Sequence, residues 1–119
     1  MTTDLAEPLT ADATPSGYRY VVLVPGQDGA KAGPTALVSF YYTARTLAGD
    51  VLDACSEGRP AMYALSSTIE GWREAIAVMT TGEKIRVWIP ERGRQGGGWR
   101  SPGTLVFDIE LVEIVDRMQ

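Results

Sequence analysis

Apolar and polar residues alternate along most of this chain, and one stretch alone changes to a helical spacing. Residues 18–24 form a β-rich run in which Tyr20, Val22 and Val24 share one face. The run stops at Pro25-Gly26, and the turn-prone residues 27–34 follow. Residues 36–47 carry the longest strand pattern, with Val38, Phe40, Tyr42 and Ala44 recurring at period two. The turn Ala48-Gly49-Asp50 leads to a short strand at 51–54, a loop at 56–60 and another short strand at 61–65. Ile69, Trp72, Ile76 and Met79 then follow at helical intervals and form one apolar stripe. Ser67 and Glu70 have the spacing of a capping box, and Gly82 suits a left-handed stop after the helix. A helix of about 12 residues cannot stand alone in water, so the stripe must lie on a sheet. Residues 83–90 alternate Ile85, Val87 and Ile89 against Lys84, Arg86 and Trp88, and the Gly- and Arg-rich residues 91–103 read as a surface loop. In the final strand, 104–115, Leu105, Phe107, Ile109 and Leu111 face in while Asp108 and Glu110 face out. Val112-Glu113-Ile114 breaks that phase, which predicts a bulge or a strand end.

Several antiparallel strands and one amphipathic helix make a small α+β domain with one buried sheet face. Residues 1–16 are polar, carry Pro8 and Pro15, and read as a flexible lead-in to a single domain at 17–117. A length of 119 residues suits one core. No run approaches the roughly 20 apolar residues of a membrane span. Residues 1–13 have neither a basic start nor an apolar run, so a cytoplasmic location and no membrane contact are expected. The net charge of −4 argues against nucleic-acid binding, and Arg92, Arg94 and Arg100 read as solvating an exposed loop. The chain has no histidine and one cysteine, Cys55, which excludes a Ser-His-Asp or Cys-His arrangement and an intrachain disulfide. Asp108, Glu110 and Glu113 read as a solvated outer face rather than a metal site, so no metal and no cofactor are expected.

Four segments carry a resemblance. They are Tyr42-Thr-Ala-Arg-Thr-Leu-Ala-Gly49-Asp-Val-Leu52-Asp53, Ile69-Glu-Gly71-Trp72 through Met79 to Gly82-Glu-Lys, Ile89-Pro90, and Thr104-Leu-Val-Phe107-Asp-Ile-Glu-Leu111. In this order and at these separations they resemble the FKBP-type peptidyl-prolyl cis-trans isomerases over roughly residues 17–115. The resemblance implies an antiparallel half-barrel of five or six strands wrapped around one short helix. It implies an isomerase of X-Pro bonds that acts on proline-containing polypeptides as a monomer. It also implies that the pocket takes macrolides such as rapamycin. By the same resemblance Trp72 floors the pocket beneath the proline ring, and Tyr42, Leu52, Ile69 and Phe107 are its walls. Backbone N–H groups at Thr68 and Ile69 hold the substrate main chain, and Asp53 faces the twisting amide. Tyr42 and Asp53 are the expected catalytic pair. On pattern alone, Trp72, Ile69, Tyr42 and Phe107 are core residues and Asp53 is a turn or surface acid.

Such a reaction breaks no covalent bond. Its barrier is amide resonance, about 18–20 kcal/mol, and a planar amide carries more charge separation than a twisted one. An apolar pocket therefore disfavours the planar ground state, and a hydrogen bond placed for the rotated carbonyl adds differential binding. The sequence departs from the family in three places. Leu52 stands where an aromatic is usual, Ala61 stands where many members have Phe, and residues 90–103 form a shorter flap without its usual tyrosine. Trp99 refills part of that wall, and Pro102 is what remains of the closing prolines. Ala61 and the short flap also support a second reading, a weakly or non-catalytic FKBP-like module that binds peptides as a chaperone.

Overall fold

The structure is a computed structural model that describes residues 5–8, 10–27, 29–55, 58–99 and 101–117. Part of the loop expected at 56–60, and Arg100, lie outside the described residues. The strands are β1 (Asp12–Ala13), β2 (Arg19–Val24), β3 (Ala36–Thr46), β4 (Val51–Ala54), β5 (Ala61–Ala64), β6 (Lys84–Ile89) and β7 (Leu105–Arg117). The helix α1 spans Glu70–Ala77, and short 3₁₀ turns occupy Leu65–Ser67 and Glu91–Gly93. The sheet is open and has seven strands in the order β1-β2-β6-β7-β3-β4, with β5 also paired to β3. Every pairing is antiparallel. The strand beyond the expected six is β1, which comes from the N-terminal segment. Among the described residues no helix is long and apolar enough to cross a membrane.

β3 is the spine of the sheet. It pairs with β7 from Ala36 to Thr46, while β5 and β4 share its other edge. Its inward residues Val38, Phe40 and Ala44 are fully buried in one cluster with Trp72, Ala75 and Ile76 of α1 and with the inward faces of β6 and β7. The phase break in the last strand is a bulge: Leu111 pairs with Phe40 and Glu113 with Ser39, which leaves Val112 without a partner position. On the outer face, Asp108 accepts two bonds from Arg86, at 2.7 and 3.0 Å, and one from Arg45, at 2.9 Å. Burial pushes its carboxyl up, but the two guanidiniums hold it below the ordinary aspartate value.

Several local expectations are corrected. The capping box does not form. Ile69 is the N-cap, no side chain caps the helix, and Ser67 belongs to the 3₁₀ turn. The carboxylate of Glu70 instead accepts a hydrogen bond from the Tyr18 hydroxyl, so a partner across the fold displaces the local one. Gly82 does have a left-handed φ of 86°, but it turns the chain into β6 after the helix has already ended at Ala77. Val22 and Val24 are exposed, because the core beneath β2 reaches only Tyr18 and Tyr20. Trp88, grouped by alternation with two charged residues, is buried on the outer face with Leu5 and Val106. Its indole N–H donates to the Leu5 carbonyl at 2.6 Å.

Much of the segment read as a flexible lead-in therefore lies on the sheet. Thr14 and Ser16 tie it to the helix through three bonds donated to Glu74, at 2.7, 2.9 and 2.5 Å. Burial raises the Glu74 carboxyl, and these bonds outweigh that effect and hold it below its ordinary value.

The glycine before Trp72 has a steric cause. A Cβ at Gly71 would meet Ile89 Cγ1 and Cγ2 at 2.8 Å, so only a bare backbone lets α1 sit this close to β6. Gly71→Ala sets a helix-propensity gain of about 1 kcal/mol against overpacking of about 1–3 kcal/mol. Overpacking is expected to win, and the variant to show a lower urea midpoint at unchanged m-value.

Candidate functional site

Five rings from four parts of the chain surround the indole of Trp72. Phe40 and Tyr42 come from β3, with centroids 5.3 and 4.8 Å away, and Tyr63 comes from β5 at 6.5 Å. Phe107 of β7 stands edge-on at 5.6 Å, and Trp99, in the loop between β6 and β7, lies at 5.0 Å. Two adjoining cavities open beside this cluster, of 160 and 320 Å³, and Tyr63, Trp72, Gly97 and Trp99 line both. The Trp72 indole N–H is buried and has no hydrogen-bond partner among the described residues.

Asp53 stands on the wall of the larger cavity. β4 places it opposite Ala44, which brings it level with the tip of Tyr42. The Tyr42 hydroxyl donates to Asp53 Oδ2 at 2.8 Å, and the Trp99 indole N–H donates to the same oxygen at 3.3 Å. The Ala54 amide donates to the other oxygen at 2.9 Å. Burial raises the Tyr42 phenol above its ordinary value, and the Asp53 carboxylate raises it further, so this ring remains a donor.

Of the residues expected from the sequence, Tyr42, Leu52, Asp53, Trp72 and Trp99 line the larger cavity. Thr68 and Ile69 line the smaller one. The Thr68 amide is engaged by the Leu65 carbonyl at 3.1 Å, as is its hydroxyl at 2.8 Å. The Ile69 amide, at the head of the helix, donates to no atom among the described residues. Phe107, expected as a wall, is fully buried behind Trp72 and lines neither cavity.

Tyr63 and Gly97 are site residues that the sequence reading missed. Tyr63 was findable, because it shares its strand face with Ala61 two residues earlier, where the loss of an aromatic had been noted. Gly97 is required by space: a Cβ there would meet Ile69 Cγ2 at 2.7 Å and the Trp99 ring at 2.9 Å.

Of the flap arginines among the described residues, Arg94 is not solvated. Arg94 is 4 % exposed. Its guanidinium donates to the carbonyls of Ile89, Trp99, Ser101 and Gly103, at 3.2, 3.0, 3.1 and 2.6 Å. Burial lowers its pKa, and nearby Glu91 opposes that shift. Arg92 is exposed but lies over the Tyr18 ring, 4.7 Å from its centroid. Burial and the Glu70 carboxylate push the Tyr18 phenol up to about 12.

The sequence model of the FKBP-type peptidyl-prolyl cis-trans isomerases matches residues 29–112. The FKBP-type 22 kDa peptidyl-prolyl cis-trans isomerase of Escherichia coli (strain K12) is 36% identical over 110 residues, which cover 87% of this chain and 53% of that protein. The outer membrane protein MIP of Legionella longbeachae is 35% identical over 106 residues, covering 84% of this chain and 45% of that protein. This chain thus spans about half the length of the curated relatives it matches. Among solved structures, a peptidyl-prolyl cis-trans isomerase from Pseudomonas syringae pv. tomato superposes with a TM-score of 0.75 at 30% identity, covering 89% of this chain and 81% of that one. FkpA from Escherichia coli gives a TM-score of 0.76 at 27% identity, covering 91% of this chain and 53% of that one.

Removing the Tyr42 hydroxyl tests the Asp53 network. Tyr42→Phe is expected to cost about 1–2 kcal/mol of stability near neutral pH. An unfolded tyrosine ionises near pH ~10, whereas folded Tyr42 holds its proton to higher pH, so its contribution is complete below ~10 and fades above it. The gap between wild type and variant should therefore narrow as the pH rises past ~10, as read from denaturation midpoints across an alkaline series.

Proposed function

This chain belongs to the family of FKBP-type peptidyl-prolyl cis-trans isomerases, and from that premise we propose that it catalyses the cis–trans isomerisation of X-Pro bonds in polypeptides. The observation that carries the proposal is the aromatic box around Trp72 with the Asp53 network on its rim. A prolyl ring held in such a box leaves water behind. The planar amide, being the more charge-separated form, loses more by this than the twisted one does. The free Ile69 amide takes the substrate main chain. Asp53, gripped by two ring donors, keeps Tyr42 and Trp99 in register around the rotating bond, so their dipoles need no reorganisation as it turns.

The proposal extends to partners and place. Proline-containing chains are the substrates, and a role in protein folding follows. A relative from Mycosarcoma maydis bears the name FK506-binding protein 4, which supports macrolides such as rapamycin as ligands of the same box. We take the chain to act as a monomer in the cytoplasm, a reducing compartment that suits the free thiol of Cys55. One relative is named an outer membrane protein, so cell fractionation is the direct test of location.

One observation favours the second reading, a weakly catalytic peptide-binding module with a chaperone role. Trp72 is only 4 % exposed, and Trp99 covers part of it. That ring narrows the face of Trp72 that an entering proline can reach.

Exchange NMR on short Ala-X-Pro-Phe peptides separates the two readings. Wild-type protein is expected to accelerate cis–trans exchange, with Asp53→Ala and Trp72→Ala each losing at least about tenfold, or ~1.4 kcal/mol of transition-state binding. A folded wild-type protein that accelerates no peptide overturns the enzyme. If it then still binds unfolded chains, the module reading takes over.

A further inference from the structure

The isomerase chemistry leaves the buried charge of Arg94 unused. Burying a guanidinium costs several kcal/mol unless its donors are satisfied. Here they are satisfied by backbone carbonyls, which belong to Ile89 before the flap, Trp99 within it, and Ser101 and Gly103 at its end. The Arg94 carbonyl in turn accepts a bond from the Gly97 amide at 3.1 Å. Arg94 therefore grips the flap on both sides of the run Gly96-Gly97-Gly98. That run is the most permissive stretch of backbone in the chain, with φ of 82° at Gly96 and 86° at Gly98.

Trp99 follows directly. Its ring lies 5.0 Å from Trp72 and 5.3 Å from Phe107, and its N–H reaches Asp53. A bulky ring mounted on three glycines would sample many positions if its backbone were not held. Among the described residues, the hydrogen bond from Arg94 to the Trp99 carbonyl, 3.0 Å long, is the one that a side chain makes to the Trp99 main chain. The flap is short, so its shape comes from a buried cation rather than from length or a proline-rich closure.

We propose that Arg94 is the positioning residue that seats Trp99 as a wall of the X-Pro pocket. Its effect on turnover rests on the isomerase reading, whereas its effect on the seat of Trp99 does not. A wall displaced by about 1 Å can cost about 100-fold in rate. A wall that touches substrate and transition state alike acts mainly through KM.

The test uses the full chain labelled with 5-fluorotryptophan, whose three tryptophans give three fluorine resonances, assigned with Trp99→Phe and Trp88→Phe. Trp88 lies on the opposite face of the sheet and reports global change. In Arg94→Lys and Arg94→Ala the Trp99 resonance is expected to shift or broaden while Trp88 stays in place. The value of kcat/KM should fall by about 10- to 100-fold in Arg94→Ala and less in Arg94→Lys, mainly through KM. An unmoved Trp99 resonance overturns the proposal. So does movement of all three resonances together, or an Arg94→Lys protein that does not fold, since either would assign the guanidinium to the core rather than to the flap. If wild-type protein lacks isomerase activity, the functional reading fails, and the fluorine spectra still decide whether Arg94 seats Trp99.

Discussion

The site depends on the register between β3 and β7. Eleven residues of β3 pair with β7 without a gap on the β3 side, and the extra residues are absorbed by bulges in β7. Once Phe40 is opposite Leu111 and Ala44 opposite Phe107, a single face of the sheet carries the rings that pack on α1. β4 then inherits its place from β3 and delivers Asp53 to the tip of Tyr42. A slip of one residue would send every one of these side chains to the other face. The pocket is thus a property of sheet registration first and of its individual residues second.

Charge in this protein is handled by enclosure and hydrogen bonding. On the outer face Asp108 is shared by Arg45 and Arg86. At the pocket Asp53 is shared by two neutral ring donors, and in the flap Arg94 is shared by carbonyls. Each arrangement meets the desolvation cost with several directed bonds, which is the condition under which a buried charge is tolerated. Asp108 and Asp53 also join segments distant in sequence, whereas Arg94 ties the flap to its own flanks.

Strand positions were legible in the sequence because alternation with period two reports one buried face. That logic placed Val38, Phe40, Ile85, Val87, Ile109 and Leu111 correctly. It failed at Trp88, because alternation assumes that the second face is wet, and here the N-terminal segment covers it. The helix stripe was legible, but its cap was not, because Glu70 found a partner in Tyr18 that no local pattern reveals. Trp72, Tyr42, Asp53 and Leu52 were placed around one pocket through the family resemblance, and the structure does bring them together. Arg94 was misread since an arginine among glycines is ordinarily solvated, and only the folded loop shows the carbonyls converging on it. Phe107 was set at the pocket wall by the family resemblance, whereas the strand pattern alone put it in the core, where it is fully buried.

The exposed run on β2 gives the N-terminal segment a second significance. Val22, Leu23 and Val24 are all exposed, and β1 pairs only with Arg19 and Tyr20, so this stretch of the sheet edge has no neighbouring strand among the described residues. An apolar, unpaired edge invites another chain to add a strand. Pro25 ends the run at once, and it lacks the N–H that a growing sheet would need. β1 closes the other end. Between them they keep the unpaired edge short, so a segment that could pass for a dispensable tail narrows the stretch of sheet edge open to another strand.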